Sequence, residues 1–425
     1  MVIAAIVIAV AYVAVDRFVL STRRSETEQA PPTTPRSAAP APSTIPAKSV
    51  AVLPFVDMSE KKDQEYLSDG LSEELINLLA KVPEISVPAR TSSFYFKVKQ
   101  TTIAEIAKTL GVAHVLEGSV RKAGNIVRIT TQLIRVTDGY QVWSETYDRD
   151  MKDIFRLQDD IAANVVQALK VRLITGPMRS EGTTTNLDAY SLTLQGRLLI
   201  GRGAESDMRQ AISIFERAVS LDPSYAPAWV GLSDAYLALF DYGYTGPTEN
   251  LPKARAAAEK AVALAPGYGA AHRALGWAKL YSDYDWLGAR AELDAARRAD
   301  PSNPEPDWLR FYAGCLSGPC YEELLRTLSR AIDRDPVNAL LYVDRGHVLY
   351  RAGELEAAER DLRHGLDLSH NLAHPRFSLT HLLILRHDFA NALATAEAAQ
   401  DGQWRDAALV LAYDALGKLC TGVVN

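Results

Sequence analysis

Residues 339–370 read ALLYVDRGHVLYRAGELEAAERDLRHGLDLSH. Within this stretch Gly346 lets a first helix approach a second, and Ala358 sits where the two cross. Leu362 fills the space between them, and Gly365 is small for packing on the next unit. Upstream, the same small-residue helix ends again and again at a Pro. It appears as ERAVSLDP to Pro223, EKAVALAP to Pro266, LDAARRADP to Pro301 and LSRAIDRDP to Pro336, and His370 stands where a fifth Pro would be. The intervals are 43, 35, 35 and 34 residues. A period near 34 built of two helices is the mark of a stacked helical array.

Framework position by framework position, 339–370 resembles the tetratricopeptide pattern. It departs at Arg345, where the family favours Leu, and at His370 in place of Pro. The unit ending at Pro301 fits with Leu275, Gly276, Ala289, Leu293 and Ala296, and the unit ending at Pro266 with Trp229, Leu232, Tyr236, Ala254 and Ala261. The latter carries an insertion, DYGYTGPTEN (241–250), whose Gly, Pro and Asn predict a loop. The solenoid is expected over 187–419: roughly six units to about Asp401, then a capping helix near Trp404–Leu419. Such arrays bind other chains on a concave face lined by the first helix of each unit. The candidate protein-binding groove residues are Leu340, Val343, His347 and Tyr350, with Pro227, Val230, Asp234 and Leu237 at the same offsets in the unit that starts at Ala226.

The chain opens on an apolar run, MVIAAIVIAVAYVAV, that reaches 20 residues only by including Asp16 and Arg17. That is near the lower bound for spanning a bilayer and predicts a transmembrane anchor over 1–20. Arg17, Arg23 and Arg24 follow the run, and the positive-inside rule would hold the bulk of the chain in the cytosol. A linker over 21–47 contains six Pro among Ala, Ser and Thr, in the extended polyproline regime.

Between linker and repeats the pattern is mixed α/β. SVAVLPFVD reads as a strand, and Asp69 as the N-cap of a helix through Leu79. EISVPA reads as a second strand, and TTIAEIAKTLG as a helix capped by Thr101 or Thr102 and ended by Gly111. Three strands follow, with turns at Ala123-Gly124-Asn125 and Asp138-Gly139, and DIFRLQDDIAANVVQALKVRL (153–173) is an amphipathic helix. The expected order is β-α-β-α-β-β-β-α. The phrases VAVLPF, YLSDGLSEELINLLAKV, LGVAHVLEGSVRK, VRITTQLI and WSETYDRD make 48–173 similar to the amino-terminal α/β domain of the TolB type. The resemblance implies the C-terminal half of a bacterial inner-membrane protein, single-pass, with the bulk of the chain periplasmic against the charge rule. It also implies a missing cytosolic half: a nucleotide cyclase, a winged-helix regulator or a kinase.

The fold class expected is therefore an α/β domain followed by an all-α solenoid, with an N-terminal transmembrane helix. The expected function is a membrane-anchored, non-catalytic interaction scaffold or sensor, with a protein or peptide partner in the groove. GRLLIGRG (196–203) lacks the Lys-Ser/Thr of a phosphate loop, and Gly231-Leu232-Ser233-Asp234-Ala235 lacks the last Gly of a nucleophile elbow. A net charge of −6 does not suggest a nucleic-acid partner. Five of eight His fall within 364–387, and His370 and His374 are four apart, as metal ligands can be. Pro375 and the lack of a third ligand favour ordinary packing, so no metal and no cofactor are expected. Cys315 and Cys320 flank a turn and read either as a disulfide or as two small buried residues.

Overall fold

The computed structural model describes residues 45–97, 99–171, 182–282, 284–300, 321–369, 374–399 and 402–417. The apolar run 1–20, most of the Pro-rich linker, His370 and all three Cys lie outside them. No helix among the described residues is long and apolar enough to cross a membrane.

The chain begins with β1 (Val50–Val52) and β2 (Val56–Asp57), then α1 (Glu65–Ala80), α2 (Arg90–Phe94) and α3 (Ile103–Leu110). Three long strands follow, β3 (His114–Ala123), β4 (Ile126–Arg135) and β5 (Gln141–Asp150), and then α4 (Ile154–Ala168). In the five-stranded sheet β1 and β2 both run parallel to β3, and β3-β4-β5 is an antiparallel meander. Gly124 and Gly139 turn the two hairpins at positive φ, 58° and 73°. Helices α1 and α4 cover one face, burying Leu71, Leu75, Leu78, Ile161 and Val165 against Val127, Ile129 and Leu133.

Three local expectations are corrected. SVAVLPFVD is not one strand, because it breaks at Pro54-Phe55 into β1 and β2. EISVPA makes only a single bridge, Ser49 to Ser86. Asp69 is not an N-cap: α1 starts a turn earlier, after Gln64, and Asp69 lies inside it, buried, 2.6 Å from Lys97 Nζ. Thr102 does cap α3 through a reciprocal capping box with Glu105, and Gly111 ends it at φ 64°.

The repeats form helical hairpins: α5/α6 (Leu187–Arg202, Glu205–Leu221), α7/α8 (Ala226–Asp241, Pro247–Leu264) and α9/α10 (Gly269–Ser282, Trp286–Ala299). Further on come α11 (Tyr321–Arg334), then α12/α13 (Ala339–Ala352, Leu355–Leu368), α14/α15 (His374–Leu385, Phe389–Glu397) and α16 (Gln403–Ala415). The insertion is shorter than its sequence suggests, because Pro247 begins α8 and only 242–246 connect the helices. Small residues set the packing distance. A Cβ on Gly346 would lie 2.9 Å from Leu362, one on Gly276 2.9 Å from Leu293, and one on Gly231 2.1 Å from the Phe215 ring. Phe215 is fully buried, worth about 2–3 kcal/mol by transfer. Gly365 packs inside its own unit, against Val343 and the Ala339 carbonyl, and not on the next one.

Candidate functional site

The first helices of the hairpins carry the residues expected in a groove. Of the four candidates, Leu340 is 48% exposed, whereas Val343 and Tyr350 are buried at 1% and 6% and His347 is half-buried. The buried ones are held by the next unit: Tyr350 Oη lies 3.0 Å from His381 Nδ1, and His347 Nε2 2.6 Å from Ser378 Oγ. Val343 sits in an apolar cluster with Tyr350, Leu362, Leu379 and Leu383. The offset explains this. Residues spaced to face inward on α12 meet α14, which lies alongside, so they join neighbouring units. Three repeats earlier Val230 is likewise buried, and Asp234 is paired with Arg273 at 2.7 Å.

The α/β domain is seated on the array. At one contact Glu73 of α1 is ion-paired with Arg90 Nε at 3.0 Å and accepts from Arg197 Nη1 of α5 at 2.9 Å. Burial would raise the Glu73 carboxyl, but Arg197 and Arg90 overcome it and hold the group below its usual range. Burial likewise opposes the charge of Arg197, and Glu73 reverses that and raises it. Beside this trio Gln158 of α4 donates to Tyr190 Oη at 2.8 Å, and Gly70 presses so closely on α5 that a Cβ would meet Leu194 at 2.4 Å. One apolar core runs through both parts, from Leu71 and Leu75 to Tyr190, Leu194 and Phe215.

A second contact joins parts more than 240 residues apart in sequence. Asp335, just after α11 and 2% exposed, accepts from Thr91 Oγ1 at 2.5 Å and from Ser92 Oγ, both on α2. Asn338, the N-cap of α12, also donates to Asp335, at 2.8 Å. The residue before the marker Pro336 is thus the point where a later unit grips the α/β domain.

At the far end the array closes on itself. Trp404 Nε1 of α16 donates to the Asp241 carbonyl at 3.1 Å, and Tyr242 packs against the cluster holding Val343 and Tyr350. His374 bridges the space, its ring 4.6 Å from His347 and 4.8 Å from Trp404. Removal from water, with the charge of Arg351, lowers His374 to about 4, and burial with His374 and Arg351 lowers His347 well below its ordinary value. Asp241 keeps solvent contact, yet the surrounding protein screens enough bulk water to raise its carboxyl to about 6. The nearby Asp344 carboxyl is raised well above its ordinary range, by burial and by Asp241. No group of three or more metal-ligating side chains occurs among the described residues. His347 and His374 pack between α12, α14 and α16.

Residues 46–164 match the family model of the HilA/YgeH-like transcriptional regulator, second domain, a name different from the TolB type suggested by sequence phrases. A protein of Rhizobium meliloti named "Putative adenylate cyclase 3" is 39% identical over 232 residues, 54% of this chain and 40% of that protein. Transcriptional regulator HilA of Salmonella typhimurium is 23% identical over 322 residues, 73% of this chain and 55% of that protein. The chain thus spans about half the length of the curated relatives it matches, 40% and 55%. A solved tetratricopeptide repeat protein from Parabacteroides merdae is 14% identical, with a TM-score of 0.41, covering 62% of this chain and 95% of its own.

Proposed function

We propose that this chain is a non-catalytic, membrane-anchored sensor and interaction module, in which the helical array is a rigid reader fixed to the α/β domain. The observation that carries the reading is the double grip on that domain, by Arg197 at the first hairpin and by Asp335 three units later. A domain held at two separate units of the array moves with it. A partner docking on the array therefore acts on the domain that leads back, through the linker, to residues 1–20. The open docking positions are those that do not join neighbouring units, with Leu340 the exposed member of the candidate set. In this reading the bulk of the chain faces the periplasm of a single-pass inner-membrane protein.

A second reading extends the first. The chain is the sensory half of a longer adenylate cyclase or winged-helix regulator. The naming of its two relatives and the share of each that it covers favour this reading. The test is a chimera in which this chain replaces the matching part of the Rhizobium relative, in cells lacking their own cyclase. Cyclic AMP that changes when Arg197→Met is introduced supports a coupled sensor. Cyclic AMP production indifferent to Arg197→Met and to Asp335→Ala overturns it. Protease protection in intact cells against spheroplasts tests the placement.

A further inference from the structure

Strand β5 ends the sheet path β1-β3-β4-β5, so one side of its ten residues, QVWSETYDRD, has no strand partner among the described residues. Such an edge is a template for another strand. Ser144, Glu145, Thr146, Asp148 and Arg149 are exposed along it. A lone acidic edge would repel strands of its own kind, but this edge carries Arg149 among Glu145, Asp148 and Asp150. That arrangement selects a register.

We infer that β5 is a self-association edge, pairing antiparallel with β5 of a second copy about a two-fold axis at Tyr147, so that two five-stranded sheets join into one. Registers that keep both helical layers on the same side pair residues of like parity, since side chains alternate across a strand. Centring on Glu145 sets Glu145 against itself, and centring on Asp148 sets Asp148 against itself. Centring on Thr146 puts Arg149 opposite Trp143 and leaves its charge unmatched. Centring on Tyr147 places Glu145 opposite Arg149 of the second copy, twice by symmetry, as an isologous contact requires. On the other face it sets Thr146, a hydroxyl donor, opposite Asp148, a carboxylate already fixed by Arg128 at 2.7 Å. Glu145 is held in place from within, accepting from Tyr147 Oη at 2.9 Å and Asn164 at 3.2 Å. Directly opposed charges on paired strands interact, and like charges there disfavour pairing.

The test is sedimentation velocity on the full chain in detergent micelles. Wild type should be a dimer. Arg149→Glu alone and Glu145→Arg alone should each weaken the dimer about tenfold or more. An equimolar mixture of the two variants should restore it, because each then offers the other's complement. If circular dichroism shows that Arg149→Glu unfolds, Thr146→Glu at the exposed face sets a second carboxylate against Asp148 and should weaken the dimer in the same way. A monomeric wild type, or a dimer that neither Arg149→Glu nor Thr146→Glu weakens, overturns the proposal. The former would leave the edge to a different chain, and the latter would place the contact elsewhere.

Discussion

Glu73→Gln removes the one carboxylate shared by Arg90 and Arg197 and leaves both guanidiniums in place. The side chains of Arg90, Glu73 and Arg197 are 35%, 19% and 25% exposed, so the trio is neither a surface pair nor a sealed one. Exposed pairs contribute about 0–1 kcal/mol, and removing one partner of a buried pair costs about 3–5. With a fifth to a third of each side chain in water, the expected loss is about 2–3 kcal/mol. For a chain of this size that lowers Tm by about 2–4 °C. Differential scanning calorimetry at pH 7 reads the shift, and a cycle with Arg197→Met should show coupling of about 1–2 kcal/mol. The pH dependence has a fixed sign. The folded carboxyl lies below its ordinary value of 4.5, so its contribution is whole above pH 4.5 and fades as pH falls through the lower folded value. The gap between wild type and variant should narrow accordingly in acid. A variant whose Tm stays within about 1 °C of wild type at pH 7 would refute the claim that this trio fastens the domain to the array.

Three further outcomes follow from the same contacts. Asp335→Ala leaves the Thr91 and Ser92 hydroxyls without their acceptor and should cost about 1–3 kcal/mol, measured by urea unfolding. Val343→Asp buries a charge and should cost about 4 kcal/mol or more, whereas Leu340→Asp, at an exposed position, should leave Tm unchanged. Only Leu340→Asp can therefore report on partner capture in a pull-down. His374 is held neutral at about 4 when folded against an ordinary 6.5, so its contribution is whole above pH 6.5 and is lost progressively towards pH 4. His374→Gln should flatten that part of the stability profile, read by thermal melts at half-unit pH steps.

The sequence announced the array because its spacing rules are local: Gly346 with Leu362 and Gly276 with Leu293 lie on the two helices of one hairpin. The capping box at Thr102 and the glycine turns at Gly124 and Gly139 were readable for the same reason. What the pattern could not convey was long-range. Asp335 reads as an ordinary residue before a Pro, and its role depends on α2, some 244 residues away in sequence. The groove candidates show the converse. Offsets on one helix name the inward face, but only the position of the next unit decides whether that face is open, and at Val343 and Tyr350 it is filled. Glu73 was hidden in a helix N-terminal half rich in acidic residues, where a carboxylate needs no partner to be explained.

The grip of a later repeat on the α/β domain is directly measurable. Thr91 Oγ1 and Asn338 Nδ2 are 3.5 Å apart. With Cys315, Cys320 and Cys420 replaced by Ser, Thr91→Cys and Asn338→Cys should form an intramolecular disulfide on mild oxidation at high dilution, seen as a mobility shift on non-reducing gels and a linked peptide by mass spectrometry. Free thiols at both positions in a folded chain, or linkage only between chains, would contradict it.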